Sequence, residues 1–145
     1  LWDVTNRNLI ETIYPDRQNP FQIIGVEQAP SSQLPYFTGN RTGVYVWGEN
    51  NPQEVILPED HQLNDIGFSP DGSTFALTGD ATWLLQYDTE EGLSSPEALT
   101  LYTDNAGQAL RFSPDSTTLV VATNDSLEIY DTLTNSLLAT YPYKD

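Results

Sequence analysis

One pattern recurs along this chain at a spacing of 40 to 45 residues, and that spacing limits the folds open to it more than any other feature. Phe68 and Phe112 are 44 positions apart, Ile24 and Ile66 are 42, Trp2 and Trp47 are 45, Trp47 and Tyr87 are 40, and Tyr87 and Tyr130 are 43. The clearest copy runs from Ile66 to Asp88. It holds three short apolar runs, Ile66 to Phe68, Phe75 to Thr78 and Trp83 to Tyr87, divided by turn residues. In Ser69-Pro70-Asp71-Gly72 the fixed φ of Pro suits the second position of a type I turn and Gly suits the fourth, so the chain reverses. Gly79-Asp80-Ala81 supplies a second reversal, with a Gly free to take positive φ and an acid able to bond its own backbone. Beyond it Trp83, Leu85 and Tyr87 alternate onto one face of a strand.

Taken in order, the chain opens with a strand, Leu1 to Thr5, the polar turn Asn6-Arg7-Asn8, and a second strand, Leu9 to Tyr14. These read as the last two strands of a unit whose first two precede the sequence. The next unit places strands at Phe21 to Val26, Leu34 to Thr38, Gly43 to Trp47 and Glu54 to Leu57. The Ile66 unit gains a fourth strand, Ala98 to Tyr102, after a loop from Thr89 to Pro96. The last unit has Ala109 to Phe112, Thr118 to Ala122, Leu127 to Tyr130 and Leu137 to Tyr141. Four strands per 40 to 45 residues is the period of propeller blades. A helical repeat would need runs of ten or more residues at 3.6 spacing, and here the apolar runs are short and broken by Pro, Gly, Asn and Asp.

The expected fold is therefore all-β: a β-propeller segment of four-stranded antiparallel blades, three of them complete, preceded by the C-terminal half blade of another, in an incomplete ring. The whole of 1–145 reads as one partial domain, divided into a half blade at 1–16 and blades at 21–60, 64–103 and 107–143. Propellers close with four to eight blades, so this sequence reads as a fragment of a larger ring.

Composition narrows the partners. Five basic residues against 21 acidic ones give a formal charge of −16. Binding a phosphate backbone or an anionic lipid surface relies on clustered Lys and Arg, so nucleic acid and membrane are excluded as expected partners. The acidity instead favours solubility and attraction of basic protein partners. With no Cys there is no disulfide frame or thiol chemistry, and no stretch approaches the ~20 apolar residues of a membrane helix. Nothing assigns a compartment.

Phe68-Ser69-Pro70-Asp71-Gly72 and Phe112-Ser113-Pro114-Asp115-Ser116, with third strands ending Leu1-Trp2-Asp3, Val46-Trp47-Gly48, Gln86-Tyr87-Asp88 and Ile129-Tyr130-Asp131, resemble WD-repeat β-propellers. The Ser-Pro-Asp-Gly turn is also similar to that of the YVTN and TolB-like bacterial propellers. The resemblance spans nearly the whole chain. It departs from the WD pattern where no Gly-His pair precedes a first strand, Asp60-His61 standing nearby instead. In that family a bonded set of His, Ser or Thr, Asp and Trp stiffens each blade; His61, Thr78 and Asp80 supply part of it, with Tyr87 in place of Trp.

The resemblance implies a non-catalytic protein-interaction scaffold, presenting its binding surface on the loops between blades and on the turns between second and third strands. The residues expected on that face are Arg17, Arg41, His61, Asp80, Asp104 and Asn124. A propeller enzyme of lactonase-like or peptidase-associated kind, or the sensing domain of a bacterial regulator, stands as the alternative. His61 with Ser69 or Ser73 and Asp60 or Asp65 makes a triad only on paper, since Ser and Asp fill every turn and no Gly-x-Ser-x-Gly elbow occurs. Asp88 to Gly92 lacks the alternating ligands and distal Glu of a calcium loop. No cofactor, metal or catalytic residue is expected. Most aromatic residues fall at matching strand positions and read as packing; Tyr36, Tyr141 and Tyr143 sit less regularly and read as surface contacts.

Overall fold

A computed structural model of the chain describes residues 2–3, 5–9, 23–28, 30, 35–39, 43–46, 53–56, 61–88, 92–93, 99–101 and 106–143. These residues form strands, turns and bends, with no helix among them. β1 (Trp2–Asp3) and β2 (Asn8–Leu9) pair antiparallel. The first full sheet takes β3 (Ile23–Gln28), β4 (Pro35–Gly39), β5 (Gly43–Val46) and β6 (Gln53–Ile56) in sequence order. The second is built on β7 (Leu63–Phe68), β8 (Thr74–Gly79) and β9 (Thr82–Asp88), with β10 (Gly92–Leu93) and β11 (Leu99–Leu101) on its outer side. The third runs β12 (Gly107–Phe112), β13 (Thr118–Thr123), β14 (Ser126–Asp131) and β15 (Leu137–Pro142). Every pairing is antiparallel, and all but that of β11 with β9 join neighbours in sequence, as short turns require.

The sheets pack face to face, with β3 against β7 and β7 and β8 against β12. Between the first two sheets lies a core of Val44, Leu63, Ile66, Phe75, Leu77, Trp83 and Leu85. Between the second and third lies one of Ala76, Leu84, Leu110, Leu119, Val121 and Tyr130. The second sheet is thus covered on both faces, which is why every residue of β8 is buried. Trp83 and Leu85 share a face as their alternation requires, and Tyr87 continues it, its ring edge-on to Phe68 at 5.5 Å.

The Ser-Pro-Asp turns repeat bond for bond. Gly72 N–H donates to the Ser69 carbonyl at 2.8 Å and Ser116 N–H to the Ser113 carbonyl at 2.9 Å. Asp71 accepts from the hydroxyls of Ser69 and Ser73 and from Ser73 N–H. Asp115 accepts from the hydroxyls of Ser113 and Thr117 and from Thr117 N–H. The two turns also touch: Asp71 N–H donates to Ser116 Oγ at 3.1 Å.

Four sequence expectations need correction. First, 89–96 is not all loop. β10 falls within it and pairs with the end of β9, while β11 pairs with its beginning. From Leu93, opposite Tyr87, to Leu99, opposite Leu84, the chain advances six residues while β9 advances three, so one outer partner of β9 is laid down in two pieces. Second, Ile24 is not the counterpart of Ile66. Each first strand carries a register shift, between Ile23 and Gly25, Leu63 and Asp65, and Gly107 and Ala109, and aligning these matches Val26 with Ile66 and Leu110. Third, Tyr87 is not the counterpart of Tyr130. Phe75 pairs with Leu85 and Leu119 with Tyr130, so Tyr130 matches Leu85; three residues separate the last paired positions of β8 and β9, Thr78 and Thr82, and four separate those of β13 and β14, Ala122 and Leu127. Fourth, Gly79 does not use positive φ; among glycines described only Gly72, at 75°, does. Gly79 is there for space, since a Cβ on it would lie 1.8 Å from the Gln62 carbonyl oxygen.

Candidate interaction face

The chain enters β7 through His61 and Gln62 and leaves β8 through Asp80, so these residues meet at one end of the second sheet. Gln62 and Asp80 hold each other reciprocally. Gln62 N–H donates to Asp80 Oδ2 and Asp80 N–H to the Gln62 carbonyl, both at 3.0 Å. This pair fastens the entering segment to the turn between second and third strands, and the backbone approach it creates is what leaves no room for a side chain at residue 79. His61 is half-buried, its ring edge-on to Trp83 with centroids 5.0 Å apart. Asn124 and Asp125 are exposed in the corresponding turn of the third sheet, where Thr123 Oγ1 accepts from the N–H groups of Asp125 and Ser126.

Of the six residues expected on this face, His61, Asp80 and Asn124 therefore lie at the same end of their sheets. Arg17, Arg41 and Asp104 lie outside the described residues, as does the side chain of Tyr36. The stiffening set read from the sequence is only partly assembled. Thr78 and Thr82 bond each other through their hydroxyls at 2.8 Å, His61 packs on Trp83, and Asp80 serves Gln62. A triad through His61 is not assembled either. Ser69 and Ser73 give their hydroxyls to Asp71, at the other end of β7 from His61.

The first strands carry a second group that the sequence reading did not single out. Glu27, Gly67 and Arg111 occupy the same place, four residues beyond the start of the register shift on β3, β7 and β12. Asp65, on β7, joins them. Its Oδ2 accepts from Leu110 N–H at 3.0 Å and from Arg111 at 2.8 Å, while Asn64 donates to the Gly107 carbonyl at 2.8 Å. Side-chain bonds thus stitch β7 to β12 across the gap between sheets. Burial pushes the Glu27 carboxyl up; the Arg111 charge opposes this and the Asp65 charge adds to it. The Arg111 side chain is 75% exposed, so its ion pair with Asp65 is worth under about 1 kcal/mol. The signal for finding Glu27, Asp65 and Arg111 was the register shift, which no residue type announces.

One buried titratable pair faces the core. Tyr130 donates its hydroxyl to Glu128 at 2.6 Å, and burial with this bond raises the phenol well above its ordinary value. Among the described residues no group of three or more His, Asp or Glu is arranged to hold a metal ion, and no helix is long and apolar enough to cross a membrane. No protein-family model matches the chain, and no curated protein matches it significantly.

Proposed function

We propose that this chain is a run of propeller blades within a larger ring and serves as a non-catalytic protein-interaction scaffold. The observation that carries the ring is the outward face of the third sheet. Ladder pairing matches Val120 and Ile129 there with Ala76 and Leu84, and Ala122 and Leu127 with Thr78 and Thr82. In the second sheet all four are buried beneath the sheet that follows. In the third sheet their counterparts are uncovered to varying degree, with Leu127 38% exposed. They are also the more apolar set, Val for Ala, Ala for Thr and Leu for Thr. A terminal repeat built to face water carries polar residues there, so this face suits a further sheet of the same kind. The scaffold reading rests on the acidic surface and on the end bearing His61, Asp80 and Asn124, where Asp80 is fixed by its bond from Gln62 N–H.

Size-exclusion chromatography with light scattering tests the ring. The wild-type chain is expected to self-associate or aggregate, and the pair Leu127→Lys and Ile129→Lys to return a 16.2 kDa species. A cooperatively melting wild-type monomer sinks this reading. For the scaffold, partners captured by the chain should be lost on Asp80→Arg with Asn124→Arg; retention of every partner removes this face from the binding surface.

A further inference from the structure

Leu63 and Trp83 supply apolar bulk to the gap between the first two sheets. In the gap between the second and third, the ladders put Gly107 and Glu128 in their places. Gly107 lets β12 close on Thr78, for a Cβ on it would lie 1.9 Å from Thr78 Oγ1. Towards the outer strand the gap opens. Thr140 pairs with Glu128 and Leu137 with Tyr130, and paired residues put their side chains on one face, here the face turned to the second sheet. Glu128 and Tyr130 are buried there, yet Thr140 is exposed and Leu137 is 53% exposed. A notch therefore runs beside β15, with Glu128 at its floor. Among the described residues Glu128 is the one buried acid, at 8% exposure. Its Oε2 is committed, because it accepts from Tyr130, whose phenol is pushed up by burial and this bond and stays a donor. Its Oε1 has no hydrogen-bond partner among the described residues and is not sealed from solvent. A buried carboxylate is costly to keep unless it is paired, and a cation brought to Oε1 would supply the missing partner.

We propose that this notch binds a lysine side chain of a partner protein, with the alkyl stem along Leu137 and the ammonium on Glu128 Oε1. An arginine fits less well, because its fork seeks both carboxylate oxygens and Tyr130 holds one of them. The net charge of −16 draws a basic partner in. Both walls of the notch are sheets of this chain, so the site depends neither on ring closure nor on the end bearing His61, Asp80 and Asn124.

The test titrates acetyl-Gly-Lys-Gly-amide into the full chain and follows NMR shifts, with control peptides in which norleucine or Arg replaces Lys. The expected result is a saturable shift at Glu128, Tyr130, Leu137 and Thr140, at least about tenfold weaker for norleucine and several-fold weaker for Arg. Glu128→Gln keeps an acceptor for Tyr130 and should weaken the Lys peptide as far as norleucine does. Asp80→Asn and Asp125→Asn, in the exposed turns, should leave its binding unchanged. Shifts centred on those turns, or equal binding of the Arg peptide, would reduce the effect to surface charge and overturn the proposal. So would the absence of saturable binding, which leaves Glu128 a structural partner of Tyr130. Binding of n-butylammonium where the Lys peptide fails would overturn it too, by assigning the notch to small amines.

Discussion

Gly72 and Ser116 close the two Ser-Pro-Asp turns with φ of 75° and 62°, and only one of them is built for it. A side chain in that left-handed region costs about 1–2 kcal/mol. Gly72→Ala should therefore lower stability by about that amount, read as a drop in the urea midpoint. Ser116→Gly relieves the same strain but loses the hydroxyl that accepts from Asp71 N–H, a bond worth about 1 kcal/mol, so the two effects should nearly cancel. A large loss on Ser116→Gly would show the link between turns to outweigh backbone strain. The acids inside the turns make a second prediction. The Ser113 hydroxyl, then the Thr117 hydroxyl and N–H, hold the Asp115 carboxyl down to about 2, and the bond from Ser69, with others, lowers Asp71. Both groups have folded values below their unfolded ones, so their contribution is present above the ordinary carboxylate range and is lost as pH falls through the folded values. Asp115→Asn should be less stable than wild type near neutral pH, and the difference should shrink as pH falls below the ordinary carboxylate range and vanish only below about pH 2. A gap that persists in acid would mean that the charge is not what the turn uses.

At the scale of strands, Gly79 and Gly107 mark where one backbone comes hard against its neighbour. A Cβ at residue 107 would meet Thr78 Oγ1 at 1.9 Å, a side chain that can turn only by breaking its bond to Thr82; one at residue 79 would meet backbone alone, the Gln62 carbonyl and Leu63 Cα. Gly79→Ala should thus destabilise by about 3 kcal/mol and Gly107→Ala by less, in chemical denaturation of both variants. Equal losses would mean that the β7 entry moves as freely as a rotamer. Tyr130→Phe leaves Glu128 buried without the phenol donor, at a cost of about 1–3 kcal/mol near neutral pH. The wild-type phenol, raised in the folded state, gives stability that is whole below its ordinary value and falls as pH rises past it; Tyr130→Phe should show a shallower alkaline decline. These strands were largely legible in the sequence, because Pro, Gly and Asp punctuate short alternating runs and each turn is encoded locally. Their register was not. Matching Ile24 with Ile66, or Tyr87 with Tyr130, pairs residues of like chemistry, yet the ladders put the true counterparts two residues away, Val26 for Ile66 and Leu85 for Tyr130. The same blindness hid Glu27, Asp65 and Arg111, which are far apart in sequence and become neighbours only when sheets stack. His61 was legible as a residue, but its place against Trp83 depended on how the chain enters β7.

For the molecule as a whole, charge sets a condition that the local bonds do not. With 21 acids and five bases, most carboxylates lack a cation, and stacking sheets brings like charges closer than in the unfolded chain. Among the described residues the Asp65 to Arg111 pair bridges two sheets, but its exposure keeps it weak. The core between sheets must therefore work against repulsion that added salt relieves. The Debye length falls from about 30 Å at 0.01 M to about 8 Å at 0.15 M, which is from beyond the separation of adjacent sheets to below it. The urea midpoint should rise across that range and then flatten, because charges a sheet apart are already screened. Thermal or urea melts at a series of NaCl concentrations would measure it, with sodium sulfate avoided since it also strengthens apolar burial. A midpoint that falls with salt would mean that attractive pairs such as Asp65 with Arg111 outweigh the excess of acids. The Arg111→Gln variant then separates the two: it should steepen the rise with salt if repulsion dominates, and remove the fall if that pair is the cause.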